Sequence, residues 1–122
     1  MSNEGPRDYD QEYTDPLSDV TRVRLGYSHD RGEVTRFLVQ LEYCVENEWH
    51  EVVRYDHAPA SEFGHEEGLH IDVYRDGEQY RTEYVAPPMP AGLGLDRAED
   101  HLNNNLEGFT IRFEQWHGIR NR

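Results

Sequence analysis

The sequence LHIDVYRDGEQYRTEYV, residues 69–85, contains the strongest fold signal in the chain. Its dipeptide Asp76-Gly77 separates two segments of alternating apolar and polar residues, which is typical of a β-hairpin closed by a type I′ turn. Pairing outward from this turn places Val73 opposite Tyr80 on one face. On the other face it places acidic residues opposite basic ones. The segment therefore predicts an antiparallel hairpin with one apolar and one charged face.

A second hairpin is predicted immediately upstream. Residues 34–45 carry apolar side chains at every second position, and residues 49–56 carry apolar side chains along one side. A three-residue loop, Glu46-Asn47-Glu48, would pair Leu41 with Val53, so that apolar residues face each other. Because the buried face fixes the register of a hairpin, we expect this loop rather than a two-residue turn.

A further strand and a C-terminal helix complete the predicted fold. Residues 22–28 alternate weakly and indicate a strand. Residues 86–94 are rich in Pro and Gly, which predicts a linker, and Asp96 with Glu99 forms a capping pair for a helix. Apolar residues recur in the helix at steps of three and four: Leu95, Ala98, Leu102, Leu106, Phe109, Phe113 and Trp116. We therefore predict an α+β fold, with a four- to five-stranded antiparallel sheet, built from two hairpins, and one C-terminal amphipathic helix packed on one face.

The predicted domain organisation follows from composition. Residues 1–20 are polar and acidic with two prolines, and they predict a disordered acidic tail. Residues 21–122 form a single α+β domain. The one cysteine excludes an internal disulfide and any cysteine-based zinc site. We predict no cofactor, and the oligomeric state is left open.

The charge balance indicates where the chain works. It has 25 Asp and Glu residues, 12 Arg residues and no Lys, which gives a net charge of −13. Such charge repels itself in dilute salt, but the Debye length falls to about 3 Å in 1 M salt. The composition therefore predicts a halophilic archaeal protein. Because no segment is long and apolar enough to span a bilayer, we expect a cytoplasmic protein without membrane contact.

Most of the polar chemistry lies between the two hairpins. His70 and Asp72 are two residues apart in a strand, so both project from one face. Arg54 lies on the strand face away from the apolar residues, and Arg81 lies across the hairpin from Asp72 in the predicted register. We expect His70, Asp72, Arg54 and Arg81 to share a polar sheet face, with Asp56 beside them.

Three interpretations of this face remain open. A metal site would take its ligands from four residues: His57, His65, His70 and Asp72. A metal-free ribonuclease-like site would use His70 or His57 as general acid or base and an arginine, Arg54 or Arg81, to hold phosphate. Alternatively, the face is a solvated surface with the cross-strand pairs Asp72–Arg81 and His70–Glu83. The residues alone favour the solvated surface.

A resemblance covers residues 34–85. The run VVRYDH at 52–57, a Gly- and Pro-containing loop, and HEEGLHIDVYRDG at 65–77 are similar to small haloarchaeal proteins of an uncharacterised family. More distantly, they resemble the TumE-like toxins of prokaryotic toxin–antitoxin pairs. Those toxins show a strand ending in Tyr-Asp-Asn, a Gly-containing loop and then His-x-His. Here His57 stands in place of the Asn, and Asp72 stands in place of the second His.

The resemblance implies an intracellular protein partner of the antitoxin kind and an RNA target. It assigns the active site to His70, with Asp72, Asp56 and His57 assisting and Arg54 or Arg81 binding phosphate. The alternative is a non-enzymatic interaction module that recruits a protein through its acidic tail and an exposed sheet edge. A metal-binding module is the third hypothesis. The sequence does not decide whether the chain is an enzyme.

Overall fold

A computed structural model describes residues 9–57 and 68–119. These residues form six strands followed by one helix: β1 (Gln11–Pro16), β2 (Thr21–Asp30), β3 (Glu33–Val45), β4 (Glu48–His57), β5 (Leu69–Arg75), β6 (Glu78–Ala86) and α1 (Ala91–Trp116). The strands build one antiparallel sheet in the order β1-β2-β3-β4-β5-β6. The predicted α+β class with a C-terminal helix is confirmed, but the sheet has six strands rather than four or five.

The additional strand is β1, which lies within the segment predicted to be a disordered tail. Its six residues are all exposed, and it pairs with β2 from Gln11 opposite Tyr27 to Pro16 opposite Arg22. Because β1 buries no apolar side chain, hydrophobic periodicity gives no sign of it. The prediction of disorder therefore fails for residues 11–16, while residues 1–8 lie outside the described part of the chain.

Two-residue turns close the hairpins β2–β3, β3–β4 and β5–β6. Both residues of each turn have positive φ: Arg31-Gly32 (56° and 84°), Glu46-Asn47 (53° and 68°) and Asp76-Gly77 (56° and 80°). Positive φ at both positions is the mark of the type I′ turn, whose twist matches that of the flanking strands. The predicted turn at Asp76-Gly77 is confirmed. The predicted three-residue loop at 46–48 is wrong, because Val45 pairs with Glu48.

A β-bulge in β4 explains why apolar residues still meet across the shorter turn. The register between β3 and β4 shifts between Leu41 and Glu42, so that Glu42 pairs with Glu51 and Leu41 pairs with Val53. Val52 is therefore the extra residue. A bulge adds one residue to one strand and restores the pairing demanded by the buried face. The predicted pairing of Leu41 with Val53 is confirmed.

A second bulge, in β6, overturns the register predicted there. Tyr74 pairs with Gln79 as expected from the turn, but Val73 pairs with Arg81, so Tyr80 is the extra residue. Residues 81–84 of β6 therefore lie on the opposite face from the predicted one, and a further register shift before Ala86 ends this reversal. Arg81 consequently shares a face with the buried side chain of Val73.

The helix α1 covers the centre of the sheet and packs on β3, β4 and β5. Its buried side chains include Ala98, Leu102, Phe109 and Phe113. They meet the apolar face of the strands: Phe37, Val39, Leu41, Tyr43, Val53, Tyr55, Leu69, Ile71 and Val73. In the described chain α1 makes no backbone approach to β1, β2 or β6. One helix thus protects three central strands and leaves the flanking strands open on the same side.

The helix begins earlier than predicted. Its first residue is Ala91 and its N-cap is Pro90, with no side-chain hydrogen bond at the cap. The predicted cap at Asp96 with Glu99 is therefore wrong, and the linker is shorter than 86–94. Proline is compatible with a helix start because its missing N–H would have no intrahelical partner there.

Two glycine substitutions test the packing with opposite signs. A Cβ at Gly68 would lie 2.1 Å from the carbonyl oxygen of Ala86, whereas a Cβ at Gly108 would meet nothing within 4 Å. We expect Gly68→Ala to lower the free energy of unfolding by about 1–3 kcal/mol, since backbone must move. Gly108→Ala, within α1, should raise it by about 0.5–1 kcal/mol. Denaturant unfolding of both variants measures this, and equal shifts would contradict the β5–β6 geometry.

Candidate functional site

A row of polar residues crosses the sheet on the face away from α1, here called the open face. The members are Cα partners from strand to strand through β2, β3, β4, β5 and β6: Arg24, Gln40, Arg54, Asp72 and Thr82. We call this set the polar row. It follows from strand alternation, because the neighbours Val39, Val53 and Val73 face the helix.

Hydrogen bonds and ion pairs join the members of the polar row on β2, β3 and β4 to a buried glutamate, Glu42. Arg54 Nε donates to Gln40 Oε1 over 2.8 Å, and Gln40 Nε2 donates to Glu42. Glu42 is 4% exposed and accepts from Arg22 Nε over 2.7 Å, with Arg24 Nη1 at 3.6 Å. Each charged or amide group is thus paired within the sheet. Buried polar groups require such partners, so these contacts serve the fold.

The members of the polar row on β5 and β6 are also hydrogen-bonded to each other. Thr82 Oγ1 donates to Asp72 Oδ1 over 2.7 Å, and Gln79 Nε2 donates to Thr82 Oγ1 over 2.8 Å. Asp72 therefore pairs with Thr82, and the prediction that it pairs with Arg81 is wrong. Within residues 68–119 no hydrogen bond joins Asp72 to His70, and the predicted role of Asp72 beside this imidazole stays a prediction.

His70 lies on the open face, as predicted, but its cross-strand neighbour is Tyr84 rather than Glu83. The two rings meet edge to face, with centroids 6.0 Å apart. Arg54 is the Cα partner of Asp72, so three predicted residues, His70, Asp72 and Arg54, do share this face. The structure confirms their common placement, while their chemical roles stay predictions.

Asp56 belongs to the same face. It is exposed and is the Cα partner of Leu38 in β3. Burial raises the pKa of Tyr74, Arg54 opposes that rise, and Asp72 and Asp56 add to it. Three predicted site residues, Arg54, Asp72 and Asp56, therefore lie close enough to the Tyr74 phenol to influence its pKa.

Two of the predicted ligands cannot be placed relative to this group. The side chain of His57 and the whole of His65 lie outside the described residues. No group of three potential ligands gathers in the described part of the chain, where the metal hypothesis rests on His70 and Asp72 alone. Metal binding stays a prediction that needs the other two histidines.

Arg81 lies on the helix side of β6, so the prediction that it shares a face with His70 is wrong. Its Nε contacts Glu83 Oε2 over 2.8 Å. Burial raises the pKa of the Tyr55 phenol, and the Glu83 carboxylate raises it further, since Glu83 has also moved to this side. The bulge at Tyr80 is the physical cause, because an extra residue reverses the alternation of residues 81–84, up to the next register shift in β6.

A groove on the helix side is the feature that sequence reasoning missed. It lies where α1 leaves β1 and β2 uncovered, and its volume is about 540 Å³. We call it the β1 groove. Val23 and Leu25, partly buried against the core, form its floor, and the exposed Tyr13 and Leu17 lie at its rim. Its acidic wall consists of Asp15, Glu99 and Asp100. The only sequence signal is Tyr13 and Leu17 within the acidic segment, and a groove also depends on which strands the helix covers.

The acidic wall of the β1 groove carries electrostatic strain. Glu99 is half-buried, and burial raises its pKa, with Asp96 and Asp100 adding to the rise. Like charges beside a partly desolvated carboxylate disfavour its ionised form. A cation brought into the groove would relieve this strain.

Comparison with known proteins gives a family but no described relative. Residues 7–119 match the family described as Domain of unknown function (DUF7718). No curated protein and no solved structure gives a match. Among the described residues, no helix combines the length and the apolar character needed to cross a bilayer.

Neutralising Glu99 should stabilise the fold in a pH-dependent way. Because the folded state raises the pKa of Glu99, its favourable contribution is present below the ordinary pKa and is lost as pH rises through the raised value. We expect Glu99→Gln to raise the melting temperature at pH 7, with the gain vanishing near pH 4. Glu107→Gln, an exposed carboxylate on the same helix, controls for net charge. An equal gain in both variants would contradict a local cause.

Proposed function

We propose that the chain, which belongs to the DUF7718 family, is a protein-interaction module that binds an amphipathic helix of a partner protein in the β1 groove. The observation that carries this proposal is the groove beside α1, whose floor is formed by the only partly buried side chains of Val23 and Leu25 and whose rim carries the exposed Tyr13. An α+β fold buries the apolar face of its sheet under helices, and here the layer is half complete.

The dimensions of the groove fit a helix. Neighbouring strands lie about 4.8 Å apart, so the three strands β1, β2 and β3 span about 10 Å. A helix with side chains is about 10–12 Å across, and packed helices lie about 8–10 Å apart. One more helix beside α1 would therefore cover the exposed floor. Val39 of β3, at the inner edge of the floor, already contributes to the core.

Exposed apolar residues gather at the rim of the groove. Tyr13 and Leu17, which line the groove, are 52% and 42% exposed; Tyr13 lies in β1 and Leu17 directly follows it. Large aromatic side chains contribute most to binding when a partner buries them. The rim thus offers an anchor, Tyr13, with smaller apolar contacts around it.

Charge selects the kind of partner. The described residues that line the groove include Asp15, Glu99 and Asp100 and no arginine. An amphipathic helix with Arg or Lys flanking its apolar stripe would complement these carboxylates. A second copy of this chain is disfavoured, because the net charge of −13 brings like charges together.

The RNA-directed function is the second candidate. It rests on the resemblance to TumE-like toxins and is supported by the common placement of His70, Asp72 and Arg54 on the open face. In this hypothesis His70 transfers the proton, Asp72 and Asp56 assist it, and Arg54 binds phosphate after releasing Gln40. The partner in the β1 groove would then be an antitoxin-like protein. The halophilic, cytoplasmic setting is likewise proposed from composition alone.

Site-directed photo-cross-linking tests the interaction module. A photoreactive phenylalanine analogue is placed at Tyr13 in the native host, and the same analogue at Tyr84, an exposed tyrosine on β6, is the matched control. We expect position 13 to capture a segment with apolar residues at helical spacing flanked by Arg or Lys, and position 84 not to capture it. A synthetic peptide of that segment should bind about tenfold more weakly to Tyr13→Ala than to Tyr84→Ala.

Three results of that experiment would contradict the proposal. Position 13 could capture another copy of this chain, or residues 1–8 of the same chain. The two positions could also capture the same segments equally, which would show no preference for the groove.

Growth assays test the RNA-directed function. We expect expression of the wild type in a halophilic host to slow growth and His70→Ala to restore it, because a general acid or base contributes about 10²–10⁴-fold to the rate. His29→Ala, an exposed histidine of β2, is the control and should remain as toxic as the wild type. Equal growth of wild type and His70→Ala would count against this function and leave the β1 groove untouched.

A further inference from the structure

Arginine and aromatic side chains alternate at the C-terminal end of α1, where it passes the β5–β6 turn. Arg112 lies 5.1 Å from the Trp116 ring, and Arg75 lies 4.6 Å from the same ring. Arg75 also lies 5.4 Å from the Tyr80 ring, which Arg81 approaches to 5.7 Å. We call this set of five residues the Arg–aromatic ladder. Each step is within the range of a cation–π contact.

The ladder is formed by the bulge in β6. As the extra residue, Tyr80 turns toward the helix and meets Trp116 with ring centroids 5.2 Å apart. The same bulge brings Arg81 to this side. Tyr80 remains 49% exposed, because α1 does not extend over β6. Tyr80 therefore presents an accessible phenol ring between the guanidinium groups of Arg75 and Arg81.

Arginine side chains are concentrated at this end of the sheet. Three guanidinium groups meet here, and Glu83 is bonded to one of them, Arg81, over 2.8 Å. Glu78, opposite Arg75 in the register, is exposed at the rim. Asp76, in the turn, lies 3.6 Å from His117, so three guanidinium groups meet three carboxylates, those of Asp76, Glu78 and Glu83, in a chain whose net charge is −13.

The guanidinium group of Arg112 is not fully hydrogen-bonded. Its Nη2 atom is buried and has no hydrogen-bond acceptor among the described residues. Burial lowers the pKa of Arg112, and the charge of Arg81 lowers it further, against the influence of Glu83. An unsatisfied donor and neighbouring like charges both favour the arrival of an anion.

We propose that the Arg–aromatic ladder binds a nucleoside phosphate, with the base stacked on Tyr80 and the phosphate held by Arg81 in place of Glu83. Guanidinium groups hold phosphate through paired hydrogen bonds, and every base offers a flat face to an aromatic ring. Arg75 and Arg112 contribute positive charge on the two sides of Trp116. The ligand is a free nucleotide or one unit of a single-stranded nucleic acid.

This proposal is independent of the interaction module. The ladder lies beside β6 and the β1 groove lies beside the opposite edge of the sheet, so either can fail without the other. It is also separate from the open face that carries His70, because Arg81 and Tyr80 lie on the helix side.

Trp116 reports binding directly. The chain has two tryptophans, so Trp49→Phe leaves Trp116 as the single reporter in the full-length protein. This protein is titrated with adenosine monophosphate, with a short single-stranded oligouridylate and with a short single-stranded oligothymidylate. Titrations at about 0.1 M and about 1 M salt, where the Debye lengths are about 10 Å and 3 Å, separate charge attraction from stacking.

We expect the Trp116 fluorescence to change with at least one probe. Arg81→Gln and Tyr80→Leu should each weaken binding about tenfold, since one stacked base or one charged contact is worth that much. Arg97→Gln, an exposed arginine of α1 outside the ladder, makes the same charge change as Arg81→Gln and should alter binding less than about twofold. Thermal melts confirm that each variant is folded.

Tighter binding of an oligonucleotide than of the monophosphate identifies a nucleic acid as the source of the ligand, and equal binding identifies the free nucleotide.

Several results would overturn the proposal. One is the absence of any fluorescence change with all three probes at millimolar concentration. A second is an equal loss in Arg97→Gln and Arg81→Gln, which would reveal a general charge effect. A third is equal binding of an oligoglutamate peptide, which carries charge without a base.

Discussion

The double burial of β3 is the constraint from which most of the structure follows. Residues 37–43 are all buried, although a helix covers only one face of this strand. Placing Val39 and Leu41 beneath α1 forces Gln40 and Glu42 onto the other face, where they are 3% and 4% exposed. Polar groups buried to this degree need partners, and Arg22, Arg24 and Arg54 of the flanking strands supply them.

The need to pair these buried polar groups changes how the polar residues of the open face are interpreted. A cluster of arginine, carboxylate and amide side chains invites a catalytic interpretation when it is read from sequence. In the folded chain Arg54 is already bonded to Gln40, and Asp72 to Thr82. Chemistry there would have to displace contacts that hold the sheet. A ligand at the Arg–aromatic ladder would displace only an exposed ion pair, Arg81–Glu83. The β1 groove and the ladder both exist because one helix covers only the middle of a wide sheet.

The sequence is a good guide wherever local pattern and tertiary packing agree. The turn Asp76-Gly77, the pairing of Leu41 with Val53 and the apolar stripe of α1 all follow from it. The bulges at Val52 and Tyr80 do not, because a bulge has no residue signature and arises when turn geometry and buried register conflict. Each bulge reverses the faces beyond it, so an error of one residue moves Arg81 from the predicted site to the opposite side.

The start of the helix and the first strand escape prediction for a different reason. Pro90 begins α1 without a side-chain cap, and β1 consists of exposed residues, so neither has a distinctive pattern. Their existence depends on backbone pairing with neighbours that are remote in the sequence. The candidate sites are hard to predict from sequence for the same reason. The β1 groove requires β1, and the Arg–aromatic ladder requires the bulge at Tyr80.

The exposed edge of β1 has a consequence for colloidal behaviour. An unpaired outer strand is a template for filament growth, and acidic side chains such as Glu12 and Asp15 oppose it by mutual repulsion. Concentrated electrolyte would remove most of that repulsion. What then limits fibre formation is the brevity of the strand and Pro16 at its end, which offers no amide hydrogen to an incoming chain.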